Sequence, residues 1–165
     1  MAVDLSTYGG TLLPAGFAGQ PADANTITSV SLMSESTGAI DFGIAVARGA
    51  TDSTCKLIAA DTDLPVGITL RNPTRTAAAD GTVTYARYDA VPIARTGFMF
   101  AIPFENVTRG DTAISITAQG GKLGGTTGGS AGAGRVALDG TGTKPEVVWE
   151  TTTAAGAIGR VRILS

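Results

Sequence analysis

From Thr26 onward the chain alternates apolar and polar residues in short runs, and turn residues interrupt those runs at intervals of about ten positions. Side chains on a strand change face at every residue, so runs of this kind bury one face and solvate the other. The cleanest is Ile40 to Arg48 (IDFGIAVAR), which puts Ile40, Phe42, Ile44 and Val46 on one face. Thr26 to Met33, Cys55 to Ala59, Val66 to Leu70, Val83 to Tyr88, Ala113 to Ala118, Arg135 to Leu138, Val147 to Thr151 and Ile158 to Leu164 read as further strands. Val91 to Ala94 and Phe98 to Pro103 are two short apolar pieces, and Pro92 and Pro103 predict sheet edges or strand ends, because proline cannot donate to a ladder. No stretch repeats apolar residues at i, i+3, i+4 and i+7 over three turns, so long amphipathic helices are not expected. Thr76 to Asp80 predicts at most one helical turn. An all-β sandwich or barrel is the expected fold.

The apolar residues are mostly small, since hydrophobic positions make up 43% of the chain but aromatic ones only 5%, with 23 glycines among 165 residues. That composition suits a thin β core and rarely builds a deep ligand pocket. Two segments fall outside the alternating rhythm. Residues 1–25 have paired glycines, prolines and no sustained period, and read as an extended amino-terminal arm preceding a single β domain at 26–165. Fully stretched, such an arm reaches roughly 80 Å, enough to cross a neighbouring subunit. Its apolar members Tyr8, Leu12, Leu13 and Phe17 need a partner surface and are the candidate contact residues. The second segment, residues 119–134 (QGGKLGGTTGGSAGAG), is too glycine-rich to hold a strand unsupported and predicts a flexible surface loop.

Charge and residue usage exclude several function classes. Twelve Lys and Arg against fourteen Asp and Glu give a net charge of −2, which offers no basic footprint for direct nucleic-acid binding. Histidine is absent, which removes Ser-His-Asp triads, Cys-His dyads and His-ligated zinc. The single cysteine, Cys55, cannot close an intrachain disulfide and lies in an apolar run, as a small buried hydrophobe does. The start MAVDLSTYGG lacks the basic and apolar regions of a secretory signal, and no run approaches a membrane span, so an intracellular product with no membrane partner is expected.

The remaining motifs weigh toward structural readings. Gly132 to Ala137 spells G-x-G-x-x-A but lacks the preceding strand and following helix of a dinucleotide site, and no phosphate-binding loop occurs, so no cofactor is expected. Arg109-Gly110-Asp111 reads as a turn between strands. Glu146 and Glu150, four residues apart on a strand, would sit about 13 Å from each other, too far for a glycosidase pair. Asp61 and Asp63 lack the dense oxygen ligands of a calcium loop, so no metal is expected. Trp149 reads as core. Arg160 and Arg162 share one strand face, where they serve as a solvated surface or an intersubunit ion pair.

The order of AGFAGQPAD, IDFGIAVARG, LPVGITL, VTRGDTAISI and AGAIGRVRIL along nearly the whole chain resembles the capsid decoration, or structural cement, proteins of tailed bacteriophages. The resemblance implies a jelly-roll or tulip-like β-barrel with an amino-terminal arm and no catalytic residues. It also implies attachment to the major capsid protein on the outside of an expanded head, as a homodimer or homotrimer, after assembly in the host bacterial cytoplasm. The glycine-rich insertion at 119–134 has no counterpart in that pattern. Two other classes are a tail or fibre adhesin whose glycine-rich loop binds a host glycan, and a hydrolase using the Asp and Glu residues.

Overall fold

A computed structural model describes residues 16–22, 27–75, 83–129 and 131–164. Among them ten strands follow in order: β1 (Thr28–Ser34), β2 (Ala45–Arg48), β3 (Thr54–Leu57), β4 (Pro65–Thr69), β5 (Ala90–Ala101), β6 (Ala113–Ile116), β7 (Lys122–Gly125), β8 (Arg135–Ala137), β9 (Glu146–Trp149) and β10 (Gly159–Leu164). Two single 3-10 turns, Thr117–Gln119 and Thr126–Gly128, are the only helical elements among the described residues. The all-β expectation describes this molecule.

The seven-stranded sheet runs β1-β3-β2-β4-β5-β10-β9, and an extra pairing of β1 with β5 closes its first five strands into a barrel. Strand β5 makes this possible through its length of twelve residues. Its first half pairs with β1 and β4, and its second half, Gly97 to Ala101, pairs with β10. A three-stranded sheet, β7-β6-β8, packs beside the barrel.

Two apolar clusters follow from alternation. In β2, Val46 points into the barrel with Ile40, Tyr85, Val91 and Ile93, whereas Ala45 and Ala47 point outward to a second cluster containing Leu123, Leu138, Trp149 and Ile163. The barrel wall is therefore buried on both faces here, and small alanines at Ala45, Ala47, Ala94 and Ala113 let the second sheet approach closely.

Several strand expectations change. The Ile40 to Arg48 run is not one strand. Ile40 makes an isolated bridge to Tyr85, with amide-to-carbonyl bonds of 2.9 and 2.8 Å in the two directions, and the chain turns at Phe42 and Gly43 before β2. Val83 to Tyr88 likewise reduces to that bridge and a turn in which Tyr88 takes a left-handed φ of 70°. Conversely, Val91 to Ala94 and Phe98 to Ala101 join into one strand, β5, with Pro92 inside it and Pro103 beyond its end, as expected. The Pro92 carbonyl accepts the Leu70 N–H at 2.8 Å, so its donorless nitrogen faces the same side, where β4 has already ended at Thr69. The Thr76 to Asp80 turn lies outside the described residues.

The largest correction concerns 119–134. Lys122 to Gly125 is strand β7, mostly buried and paired with β6 through four residues, so this part of the segment is core sheet rather than a surface loop. Besides β6, support comes from two sides. The Ala45 N–H donates to the Gly121 carbonyl at 2.9 Å, and a side chain at Gly121, with φ of 92°, would run into the Ala45 carbonyl. Arg135 forms an ion pair with Glu105, whose carboxylate also accepts the Gly125 N–H at 3.3 Å and would meet any side chain at Gly128. Glycine here serves close approach, not freedom.

Asp111 anchors the following turn, accepting from the Thr108 N–H (2.8 Å), the Thr126 hydroxyl (2.9 Å) and the Thr127 hydroxyl (2.9 Å). Burial pushes this carboxyl up, but the hydrogen bonds from Thr108, Thr127 and Thr126 outweigh it and hold it below its ordinary 3.8. Because the folded carboxyl titrates lower than the unfolded one, its stabilisation is present above pH 3.8 and is lost as pH falls through the folded value. We expect urea midpoints at neutral pH and below pH 4 to differ less in Asp111→Asn than in the parent chain. An undiminished difference would remove Asp111 from this role.

Candidate functional site

Among the described residues six large apolar side chains are exposed; two of them, Ile102 (42%) and Phe104 (47%), border one groove, and a third, Phe17 (53%), borders a neighbouring hollow that shares Arg71 with it. The groove has a volume of about 490 Å³; Phe42, Ile44, Ile102 and Phe104 supply its apolar lining, with Asp41, Arg71 and Lys122 beside them. Its residues come from the turn before β2, the end of β5 and the start of β7, so the meeting of barrel and second sheet creates it. Arg71 is sandwiched between rings, 4.5 Å from the Phe17 centroid and 5.6 Å from that of Phe42, and Phe42 meets Tyr85 edge-on at 5.1 Å. Tyr85 holds the floor from below: its hydroxyl donates to the Leu70 carbonyl at 2.6 Å, and burial pushes its pKa up to about 12.

Residues 16–22 form a strap along the second half of β5. The Gly19 N–H donates to the Phe100 carbonyl (2.8 Å), the Phe100 N–H to the Gln20 carbonyl (2.9 Å) and the Ala22 N–H to the Phe98 carbonyl (2.9 Å). The Arg71 N–H donates to the Gly19 carbonyl at 2.7 Å. Gly19 and Gly43, at φ of 77° and 72°, face each other so closely that a side chain on either would meet the other's backbone nitrogen within 3.0 Å. Only glycine fits both the left-handed conformation and the approach.

The strap redraws the arm. Residues 16–22 pack on their own domain, so Phe17 stacks on this chain's Arg71 rather than standing on a free arm. Tyr8, Leu12 and Leu13 lie outside the described residues. The groove's exposed residues were missed by sequence reasoning. Ile102 and Phe104 flank Pro103 beyond the last paired residue of β5, and an apolar pair continuing past a strand stop was the available signal.

The residues weighed for chemistry are held in structural roles. Burial, then the Glu35 carboxylate, pushes the Cys55 thiol up to about 11. Burial also raises Asp63, but Lys56 at 2.6 Å and the Ala59 and Ala60 amides outweigh it and hold its carboxyl below the usual range. Asp61 accepts the Gly134 N–H at 2.9 Å, and Glu150 pairs with Arg162 at 3.0 Å within the chain. Arg160 lies over Phe98, 5.4 Å from the ring centroid. Trp149 is fully buried and donates from Nε1 to the Gly124 carbonyl at 2.9 Å. Arg109 and Gly110 form the turn expected of them, and β8 follows Gly134 where a dinucleotide site would need a helix. Among the described residues no group of three or more Cys, Asp or Glu is placed to hold a metal.

The family described as structural cement protein (E217 gp24/Pam3 gp6) matches residues 5–164. The chain belongs to that family. No curated protein matches it. A chain in the solved capsid of Myoviridae phage XM1 shares its fold, with a TM-score of 0.67 at 18% identity over 98% of this chain and 97% of that one. The cement protein described here is thus a phage structural protein. Its groove is lined mainly by apolar side chains, with Asp41, Arg71 and Lys122 as scattered charges.

Proposed function

We propose that this cement protein binds the outer surface of the phage head and clamps adjacent major capsid proteins, stabilising the expanded shell without catalysing a reaction. The exposed apolar groove beside a pinned strap supports this reading most directly. Exposed apolar surface of this kind marks a binding face, and the strap fixes the place from which residues 1–15 depart. Tyr8, Leu12 and Leu13 lie on that departing segment, and burying each leucine contributes roughly 1.5–3 kcal/mol before ordering costs. Such contacts are weak singly. Joined in a homodimer or homotrimer that touches several capsid subunits, they gain effective concentration and hold. The adhesin alternative loses its main support, because part of the glycine-rich segment it relied on is strand β7.

The test is addition of the purified chain to expanded heads stripped of it, read by cryo-electron microscopy and by the temperature at which heads release DNA. We expect full occupancy and raised heat resistance. A chain lacking residues 1–15 is expected to dissociate at least 100-fold more readily, as when one arm of a multivalent contact is lost. Undecorated heads would overturn the capsid reading, and unchanged retention after truncation would overturn the arm's part in it.

A further inference from the structure

We infer that the groove between Phe42 and Phe104 is the seat for the amino-terminal segment, residues 1–15, of a second copy of this chain. This rests on the arm reading above and deepens it by naming the first neighbour the arm grips. Three observations point to that occupant. The segment has the chemistry the groove asks for. Its sequence, MAVDLSTYGGTLLPA, carries Leu5, Tyr8, Leu12 and Leu13 and one charged side chain, Asp4, while the groove offers an apolar lining with two cations, Arg71 and Lys122, against one anion, Asp41.

Its length and point of departure also fit. Fifteen extended residues reach about 50 Å, beyond the width of a domain this size. The strap that launches them borders the groove through Ala18, so every copy carries a segment and a seat side by side, the arrangement that reciprocal exchange requires.

Gly16, the described residue next to the segment, also lies against Phe100 and outside the groove's lining. The bond from the Gln20 N–H to the Phe17 carbonyl (2.9 Å) closes a turn over 17–20. That turn lays Gly16 against the Phe100 ring so tightly that a side chain at Gly16 would overlap it. Phe100 borders a different hollow, lined with Thr151, Ala154, Ile158 and Arg160.

Paired cysteines test the proposal in the isolated protein, away from any capsid. The native Cys55 is fully buried, so a chain carrying Leu12→Cys and Phe104→Cys has two reactive thiols. Phe104 is a rim residue, and its replacement leaves the core intact. Under mild oxidation we expect disulfide-linked species of twice the chain mass or more, and hybrids when tagged and untagged copies are mixed. Ile102→Asp in the same background is expected to reduce cross-linking at least tenfold. An intrachain disulfide alone would show the segment seated in its own groove, and no disulfide would show the groove empty of it; either result overturns the exchange. Head binding by the parent chain is scored separately, so retained decoration with no cross-link sinks this inference and spares the capsid reading.

Discussion

Trp149→Ala is expected to destabilise the chain by about 3–5 kcal/mol, the range for removing a large buried aromatic from a core that cannot fully collapse. For a domain of this size that is on the order of 10 °C in the unfolding midpoint. The effect is large because Trp149 joins both sheets. Its ring fills the layer between barrel and second sheet, its Nε1 bonds the Gly124 carbonyl of β7, and its main chain exchanges bonds with Asp111 and Gly110 at 2.9 and 2.8 Å. Trp149→Phe separates packing from bonding. It keeps most of the ring and leaves a buried carbonyl without its donor, a loss of about 1–3 kcal/mol. Thermal and urea unfolding of both variants checks the pair. Equal losses would mean the Nε1 bond, not the ring, carries the contribution.

Gly19→Val should release the strap while sparing the barrel. The new side chain would need a left-handed backbone and would press on the main-chain nitrogens of Arg71 and Gly43, which have nowhere to retreat. Backbone strain of this kind costs of order 1–3 kcal/mol before the clash is counted. The three strap bonds to β5 involve none of the barrel's own pairings, so the strap yields first. We expect the amides of Gly19, Ala22 and Phe100 to exchange with solvent at least 100-fold faster, while core amides of β2 and β4 hold their protection. Head retention should fall as it does on removing residues 1–15, because an unpinned strap no longer aims the segment. Unchanged exchange at Phe100 would show the Gly19–Gly43 contact to be incidental.

Residue order alone determined the all-β class, the approximate places of β1, β3, β4, β6, β8, β9 and β10, and the burial of Trp149 and Cys55. Each of these depends on local facts: the period of the pleat or the reach of one side chain. Only the tertiary structure decided that Pro92 lies within one long strand, that Gly43 breaks the cleanest alternating run, that glycines 124 and 125 are sheet, and that residues 16–22 belong to the domain. A strand is stabilised by its partner's hydrogen bonds, and that partner lies at a distance along the chain that no local pattern encodes. A glycine-poor alternating run can therefore be broken by a close backbone approach, and a glycine-rich one can be held as a strand between Ala45, Glu105 and β6. The groove arises in the same way, from side chains dozens of residues apart that meet only where barrel and second sheet close together.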